Sequence, residues 1–276
     1  MDHFLVDAYT PKEIAARIEK IGVSKSAGDP LRVFTLAILA GAFIAFGAVF
    51  FTVVTFDSGE VVAGLMRLIG GFAFCLGLIL VVVAGAELFT GNNLIVMAYV
   101  DGKVSLKQLL QNWGIVYVGN FIGAVGVMLL IYLSGHWDIG NGAVGAKAIA
   151  IANAKVNLTW MEAFTRGILC NILVCLAVWL CFAGRTVVDK VLAILFPITA
   201  FVAMGFEHSV ANMYFISAGL VAKEHAEYAS LMGSMNLDNL TLMNFLFSNL
   251  LPVTLGNIIG GSVFVGLFYW FIYLRD

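Results

Sequence analysis

Two stretches of otherwise apolar sequence share an unusual pattern of polar residues. Gly85–Asn92 and Gly205–Asn212 both follow the spacing G-x-E-x-x-x-x-N, and His208 in the second stands where the first has Leu88. An ionisable side chain inside an apolar segment marks a path for protons or ions by default, and histidine titrates near neutral pH. Since the equivalent position holds a leucine, we expect His208 to have a functional role. The alternative is a buried histidine satisfied by Glu207 or by a backbone carbonyl.

The acids and amides of these stretches favour a structural role. Glu87 and Glu207 occupy equivalent positions, and a carboxylate can accept hydrogen bonds from backbone N–H groups that an interrupted helix leaves free. Asn92 and Asn212 are suited to cap the helices that follow an interruption. We therefore expect all four to satisfy interrupted backbone, with proton handling by Glu87 and Glu207 as the alternative.

Neighbouring side chains indicate a narrow passage beside the histidine. The hydroxyl of Thr90 is predicted to bond either to His208 or to nearby backbone. Phe74 and Leu78 are one helical turn apart before the first stretch, and Phe201 precedes the second. Apolar rows in membrane helices normally pack or contact lipid, but beside two interrupted helices these three residues are candidates for apolar constrictions.

Asn171 and Asn257 are amides within long apolar segments. An amide in this setting either lines a polar passage or forms hydrogen bonds that hold helices together. The residue types alone leave both interpretations open.

Other reactive residue types do not indicate catalysis, a metal or a cofactor. Cys75, Cys170, Cys175 and Cys181 lie in apolar stretches, and their spacing matches no zinc pattern or disulfide framework. The sequence contains neither an H-E-x-x-H zinc pair nor a G-x-S-x-G nucleophile elbow. We expect the cysteines to be small buried side chains and the protein not to be an enzyme.

The composition places these residues in a membrane protein. The 276 residues are 61% hydrophobic and only 12% charged, with 29 glycines, and the mean hydropathy is +0.98. This mixture is typical of packed transmembrane helices and excludes an ordinary soluble domain. A formal net charge of -2 offers no basic surface for nucleic acid.

Apolar run lengths predict six transmembrane spans, two of them broken. A bilayer core takes about 20 residues of helix, and the stretches around Glu87 and Glu207 are too long for one straight crossing. The predicted spans are 33–56, 68–86 continued by 88–100, 108–135, 167–184, 191–206 continued by 209–222, and 239–274.

An even number of spans places both termini on one side of the membrane. That side carries ten lysines and arginines against five on the other, so the positive-inside rule predicts cytoplasmic termini. Thr10–Glu13 has the pattern of a capping box with a first-turn proline. It predicts a short amphipathic helix on the inner membrane surface, with Ile14, Ile18 and Ile21 on its apolar face.

The chain contains an internal repeat. Asn112–Gly123 aligns with Asn249–Gly260 at six identities in twelve positions, and Phe34–Leu39 matches Phe164–Leu169. The two polar stretches fall in register between these matches. A unit of three spans is odd, so the second copy is inverted and the two breaks face each other near mid-membrane. The predicted segments are an N-terminal segment (1–30), a first repeat (31–135), a periplasmic loop (136–158) and a second repeat (159–274).

With these residues in view, the sequence resembles the formate/nitrite transporter family, and its formate channels in particular. The likeness runs from about Pro30 through Arg275. Its most specific motifs are GAELFTGNN from Gly85, GFEHSVANM from Gly205 and PVTLGNIIGG from Pro252, with CLAVWLCFAGR from Cys175 in support.

The resemblance implies an all-α, aquaporin-like protomer of six helices, assembled as a homopentamer in the bacterial inner membrane. It also implies roles for particular residues. They are a central histidine (His208) with a threonine partner (Thr90), apolar gates toward the periplasm (Phe74, Phe201) and the cytoplasm (Leu78, Leu88, Phe89), and pore-lining amides (Asn171, Asn257).

The implied function is pH-dependent passage of formate. An anion cannot cross apolar rings without charge compensation, so we expect His208 to donate a proton or to balance the charge. Nitrite, hydrosulfide and other short carboxylates are alternative substrates in the same fold. A neutral-solute pore of aquaporin type is the alternative from another class, and it would need no central histidine.

Overall fold

The computed structural model describes residues 8–57, 59 and 61–275, and within them the regular structure is helical. The α-helices are α1 (Pro11–Ser26), α2 (Pro30–Thr55), α3 (Ala63–Leu80), α4 (Phe89–Asn92), α5 (Val96–Val100), α6 (Leu106–Leu133), α7 (Ala143–Val156), α8 (Trp160–Ala183), α9 (Val187–Ala203), α10 (Ser209–Ala222), α11 (Ala226–Ser230), α12 (Leu251–Ile259) and α13 (Phe268–Tyr273). Wider π-helical turns extend α3 (Val81–Gly85) and flank α12 (Asn244–Leu250, Gly260–Leu267), and tighter 3₁₀ turns join α4 to α5 (Asn93–Ile95) and precede α7 (His136–Asp138).

Five helical segments of the described chain are long and apolar enough to cross a membrane. They are Pro30–Thr55, Ala63–Gly85, Leu106–Leu133, Trp160–Ala183 and Asn244–Tyr273. Helices α9 and α10 form the remaining predicted crossing, divided by a break. The predicted all-α membrane fold is confirmed, and the protein is a multi-pass membrane protein.

Both predicted breaks are present, and each begins at a glycine. Gly85 and Gly205 have φ of +84° and +74°, a left-handed conformation that favours glycine because it has no Cβ. The residues that cap the following helices are Leu88 and His208. The expectation that Asn92 and Asn212 would be these caps was wrong. Both asparagines lie inside the helices, where their side chains contact other polar groups.

The two halves are built alike around the breaks. The N–H of Glu87 donates to the carbonyl of Leu36 at 3.2 Å, and that of Glu207 donates to the carbonyl of Arg166 at 3.3 Å. Leu36 and Arg166 occupy equivalent positions of α2 and α8 in the repeat alignment. These contacts follow the register that the sequence repeat predicts.

The repeat also relates α1 to α7, which the sequence segments placed outside the repeats. Helix α1 packs on the half-helix after the first break, and α7 packs on α10, the half-helix after the second. Lys25 precedes Leu36 by as many residues as Lys155 precedes Arg166. Each half therefore includes a surface helix that covers its own half-helix.

The capping box at the start of α1 is present, but its apolar face does not lie on the membrane surface. Ile14 and Ile18 are buried, in a cluster with Leu94 and Trp179. The helix packs against the protein because Leu94 and Met97 at the end of the first half-helix, together with Trp179 of α8, offer it an apolar surface. The expectation of a membrane-surface helix is corrected accordingly.

A polar cluster fixes the other side of α1. Lys103 donates to Glu19 at 2.6 Å and contacts Asp101 at 2.8 Å, and the indole of Trp270 donates to Asp101 at 2.9 Å. Lys103 and Trp270 together lower the pKa of the Asp101 carboxyl to about 2. The cluster joins α1, the loop after α5 and the C-terminal helix.

Candidate functional site

The two half-helices meet at a hydrogen bond between Thr90 and His208. Thr90 Oγ1 lies 2.9 Å from His208 Nε2, and both side chains are buried. The contact is the one predicted between threonine and histidine, and it joins the beginning of α4 to the beginning of α10. A polar pair is thereby enclosed in the middle of the chain's apolar interior.

The backbone determines which nitrogen of His208 carries hydrogen. The N–H of Ala211 donates to His208 Nδ1 at 3.1 Å, as an N-cap bond of α10. Nδ1 is therefore an acceptor, and neutral imidazole has its hydrogen on Nε2. His208 then donates from Nε2 to Thr90 Oγ1, which leaves the Thr90 hydroxyl hydrogen free to donate to a third group.

Two cavities approach this pair from opposite ends. The cavity beside the termini, which we call the terminal-side cavity, has a volume of about 700 Å³. Leu78 and Leu88 line it, and both are almost fully buried. They close its inner end with apolar side chains.

The second cavity, the far-side cavity, has a volume of about 250 Å³ and is lined by Phe74, Phe201 and His208. The rings of Phe74 and Phe201 meet edge to face, with centroids 5.8 Å apart. Phe201 also stacks on the imidazole of His208 at 6.1 Å. Phe74 and Phe201 thus stand beside the histidine where a constriction was predicted, and Leu78 and Leu88 stand on the other side of it.

Phe215 is a further wall of the far-side cavity that the sequence interpretation missed. Its ring stacks on Phe74 with centroids 6.4 Å apart and planes 20° apart. Lys155 Nζ lies 5.4 Å from the centre of the same ring, a distance typical of a cation–π contact. Phe215 follows His208 by two helical turns, so a search along that face of α10 would have found it.

Phe89 is placed differently from the expectation. Its ring packs edge to face on Tyr117 with centroids 4.9 Å apart and also contacts Trp113, and it lines neither cavity. Consecutive residues at the start of a helix point to different sides. Leu88 therefore faces the terminal-side cavity, while Phe89 faces α6.

Asn171 and Asn257 hold helices together instead of lining a cavity. Asn257 accepts from the N–H of Ser209 at 2.9 Å and donates to the carbonyls of Gly167 and Glu207. Asn171 donates to the carbonyl of Asn257 at 2.7 Å. Both side chains are fully buried. Of the two interpretations left open, these bonds support interhelical hydrogen bonding, and the pore-lining role stays a prediction.

Asn120 performs the same task in the first half, and it was not identified as a site residue. It accepts from the N–H of Phe89 at 2.9 Å and donates to the carbonyls of Ala37 and Glu87. The repeat alignment pairs Asn120 with Asn257, so the sequence contained the signal. These two amides satisfy the backbone at the breaks, and the expectation that Glu87 and Glu207 would do so was wrong.

Each glutamate instead belongs to a polar cluster with a lysine and two asparagines. Lys155 donates to Glu207 Oε1 at 2.8 Å, and Asn212 donates to Glu207 Oε2 at 2.7 Å. Asn249 links the same carboxylate to the carbonyl of Lys155. The equivalent cluster of the first half comprises Lys25, Glu87, Asn92 and Asn112.

Among the described residues, no group of three or more histidine, cysteine or acidic side chains is arranged to hold a metal ion. The four cysteines are free and buried. The polar side chains that the structure brings together at the centre are those of Thr90 and His208, and both can donate hydrogen bonds.

Comparison with known proteins gives matches over nearly the whole chain. The sequence profile described as "Formate/nitrite transporter" matches residues 12–271. Formate channel FocA of Escherichia coli (strain K12) is 46% identical over 274 residues, which cover 98% of this chain and 96% of that protein. Formate channel FocA of Haemophilus influenzae is 42% identical over 265 residues, covering 95% and 93%.

Solved structures agree with this assignment. A structure described as "Pentameric formate channel with formate bound" matches with a TM-score of 0.83 at 44% identity, covering 89% of this chain and 98% of that one. Another, described as "FNT family ion channel", has a TM-score of 0.77 at 31% identity, covering 94% and 98%. These relatives are channels and not enzymes. Given this match and the two interrupted helices that meet at Thr90 and His208, the chain belongs to the formate/nitrite transporter family.

Proposed function

We propose that this protein is a pH-dependent channel for formate, with one pathway through each protomer of a homopentamer. The observation that carries the proposal is the buried Thr90–His208 pair, enclosed by apolar side chains between two cavities. Relatives described as formate channels, one of them pentameric with formate bound, support the substrate and the assembly.

The apolar side chains set the physical problem that the pathway solves. A carboxylate without compensation is very costly to bring between Leu78, Leu88, Phe74 and Phe201, because these groups offer no hydrogen bonds. The protonated acid is neutral and passes such side chains at far lower cost. Protonation of formate gives formic acid on one side, and release of the same proton on the other side completes the balance.

Thr90 and His208 assist that passage as hydrogen-bond donors. The Thr90 hydroxyl donates to a carboxylate oxygen of the substrate while His208 Nε2–H donates to Thr90, and two donors in series strengthen each other. The Ala211 N–H occupies Nδ1, so a cationic His208 would lose its cap bond. We therefore favour hydrogen-bond donation by a neutral His208 over direct donation of its proton. The proton that neutralises formate then comes from a hydronium ion in the cavity water, which is left as a water molecule.

Lysines concentrate the anion before it reaches the constriction. Lys155 lines the far-side cavity and Lys25 the terminal-side cavity, and each is paired with one glutamate. A cation at a cavity wall raises the local concentration of small anions.

We place the protein in the bacterial inner membrane with both termini, and therefore the terminal-side cavity, on the cytoplasmic side. The positive-inside distribution supports this orientation. The outer surface carries many exposed apolar side chains, including Leu130, Leu133 and Phe196. Lipid and neighbouring protomers would cover them in a pentamer.

Flux measurements with the purified protein in proteoliposomes test this function. Formate, nitrite, hydrosulfide and glycerol should be compared at several external pH values, with empty liposomes as the control. We expect formate flux to exceed the others and to rise as the pH falls. Equal flux of glycerol, or formate flux that does not change with pH, would contradict the proposal.

A further inference from the structure

The terminal-side cavity carries more positive charge than passage of a small anion requires. Its cationic lining residues are Lys25, Arg17, Arg32, Arg185 and Lys190. The one carboxylate in the lining, Glu87, is bonded to Lys25 at 2.8 Å. In the described part of the chain, none of the ion pairs involves the other four cations.

Nearby carboxylates are engaged in capping helices. Glu13 bonds to Thr10 at the start of α1, Asp29 accepts from the N–H of Arg32, and Asp189 accepts from the N–H groups of Arg185 and Thr186. None of these three acids lines the cavity. Among the described residues, the cavity wall therefore presents four cations without an ion-pair partner. Two of them, Arg17 and Arg185, act on Glu13 only at longer range and add to the Thr10 hydrogen bonds that lower the pKa of its carboxyl.

The fold does not require this charge. The far-side cavity has two lining cations, Lys155 and Arg166, and is smaller. In the repeat alignment, the positions equivalent to Arg32, Arg185 and Lys190 hold Glu162, Leu65 and Gly70. One of these positions is reversed in charge. Arg17 and Lys25 correspond to Lys147 and Lys155, so three of the five cations are particular to the terminal side.

The size and shape of the cavity suit a ligand larger than formate. Like charges converging on one space repel each other, and a multivalent anion relieves that repulsion with charge-assisted hydrogen bonds. Arginine binds carboxylate and phosphate groups with two parallel bonds. The Tyr9 ring lies 3.8 Å from the guanidinium carbon of Arg17 and 4.8 Å from that of Arg185, which holds both groups at the cavity wall.

A ligand of this size cannot continue through the protein. The volume of about 700 Å³ ends at the buried side chains of Leu78 and Leu88. A multivalent anion also cannot become neutral by gaining a single proton. It would occupy the cavity without being transported.

We propose that the terminal-side cavity is a binding site for a multivalent organic oxyanion, a di- or tricarboxylate or a phosphate ester, which blocks the pathway when bound. Binding follows from the cavity alone. The block of formate flux rests on the proposed function.

Calorimetry on the purified full-length protein tests binding directly. The probes are citrate and pyrophosphate, with gluconate as a monovalent organic control, all at low and constant ionic strength. We expect both multivalent probes to bind and gluconate to bind far more weakly. The tighter of the two probes identifies the carboxylate or the phosphate class. Equal binding of gluconate, or no heat from either multivalent probe, would overturn the inference.

Variants locate the site. Arg32→Glu introduces the residue type found at the equivalent position of the second repeat, Glu162. The double variant Arg185→Gln with Lys190→Gln removes two charges at the other side of the cavity. Each is expected to weaken binding by about tenfold or more, as for loss of a charge-assisted contact. Arg67→Gln removes a cation outside both cavities and should leave binding unchanged. Wild-type affinity in both cavity variants would place the anion elsewhere and refute the site.

Flux in proteoliposomes then tests the block. Citrate should inhibit formate flux when added to the terminal side and not when added to the far side, and Arg32→Glu should relieve the inhibition. Inhibition equal from both sides would contradict the proposal. The two proposals fail separately: absence of formate flux would remove the proposed function and leave the calorimetry standing, whereas intact flux without citrate binding would remove this inference alone.

Discussion

Lys25 and Lys155 occupy equivalent positions in the two halves of the protein, and each bonds at 2.8 Å to the glutamate beside its own break. The two pairs differ in burial. The side chains of Lys155 and Glu207 are 16% and 5% exposed, against 28% and 13% for Lys25 and Glu87. The same ion pair is therefore further from water on the far side.

Loss of Lys155 should destabilise the protein more than loss of Lys25. Lys155→Met leaves a buried carboxylate without its cation, which costs about 3–5 kcal/mol, whereas a partly exposed pair contributes about 1 kcal/mol. Thermal unfolding of the two variants in the same detergent measures the difference. Lys155→Met with Glu207→Gln removes both charges and should recover much of the loss. Equal midpoints for Lys155→Met and Lys25→Met would contradict this prediction.

Substitutions of His208 should distinguish a role as hydrogen-bond donor from a role in proton transfer. Asparagine is a good N-cap and also has an N–H donor, so His208→Asn keeps a cap for α10 and a donor toward Thr90. We expect it to retain pH-dependent formate flux, and His208→Phe to lose most of the formate flux at every pH because it has neither group. Proteoliposome flux from pH 5 to pH 8 is the measurement. If His208→Asn loses the pH dependence, His208 transfers protons itself.

Asn120 and Asn257 should each be essential for stability. Replacing either by leucine removes three hydrogen bonds and leaves buried backbone groups unpaired, at about 1–3 kcal/mol for each group. We expect a large fall in the thermal midpoint for Asn257→Leu and for Asn120→Leu. The exposed amide Asn239 makes one side-chain bond, to Asn157, so Asn239→Leu serves as the control. A shift no larger than that of the control would show that the breaks are satisfied by other groups.

Phe215→Leu should loosen the far-side constriction. It removes the flat contact with Phe74 and the cation–π contact with Lys155, so larger carboxylates should pass more readily relative to formate. The ratio of acetate to formate flux is the measurement, and we expect it to rise several-fold. Phe245→Leu is the matched control, because Phe245 is also buried but lines neither cavity. An unchanged ratio in Phe215→Leu would exclude Phe215 from the constriction.

The cluster around Asp101 should hold α1 in place at mildly acidic pH. A carboxyl whose pKa is lowered on folding stabilises the folded state above its unfolded pKa, near 4, and loses that effect as the pH falls through the folded value of about 2. The contacts to Lys103 and Trp270 should therefore persist at pH 5. Proteolysis of α1 at Arg17 should be slow at pH 5 and pH 7 alike, and faster in Asp101→Asn at both. Burial raises the pKa of Glu19, the residue of α1 that bonds to Lys103. Faster cleavage of the unmodified protein at pH 5 would therefore show that protonation of Glu19, and not the Asp101 contacts, controls the helix.

Much of the fold and part of the site could be predicted from the sequence. The lengths of the apolar runs predicted the crossings, and the asymmetry between His208 and Leu88 singled out His208, which the structure places where the two half-helices meet. Phe89 was misplaced because neighbouring residues at a helix start point to different sides, and its packing depends on Tyr117 of a distant helix. Phe215 was missed because its position beside Phe74 exists only once α3 and α10 are packed together.

The sequence by itself determined the membrane class, the two breaks and the inverted repeat, because apolar run length and an odd number of spans per unit constrain topology without any tertiary contact. Tertiary structure alone decided which groups satisfy the breaks. Glu87 and Glu207 lie nearest in sequence, but Asn120 and Asn257 reach the freed N–H groups from helices far along the chain. Hydrogen bonding depends on distance and direction between atoms, and only packing sets these for residues that are far apart in sequence.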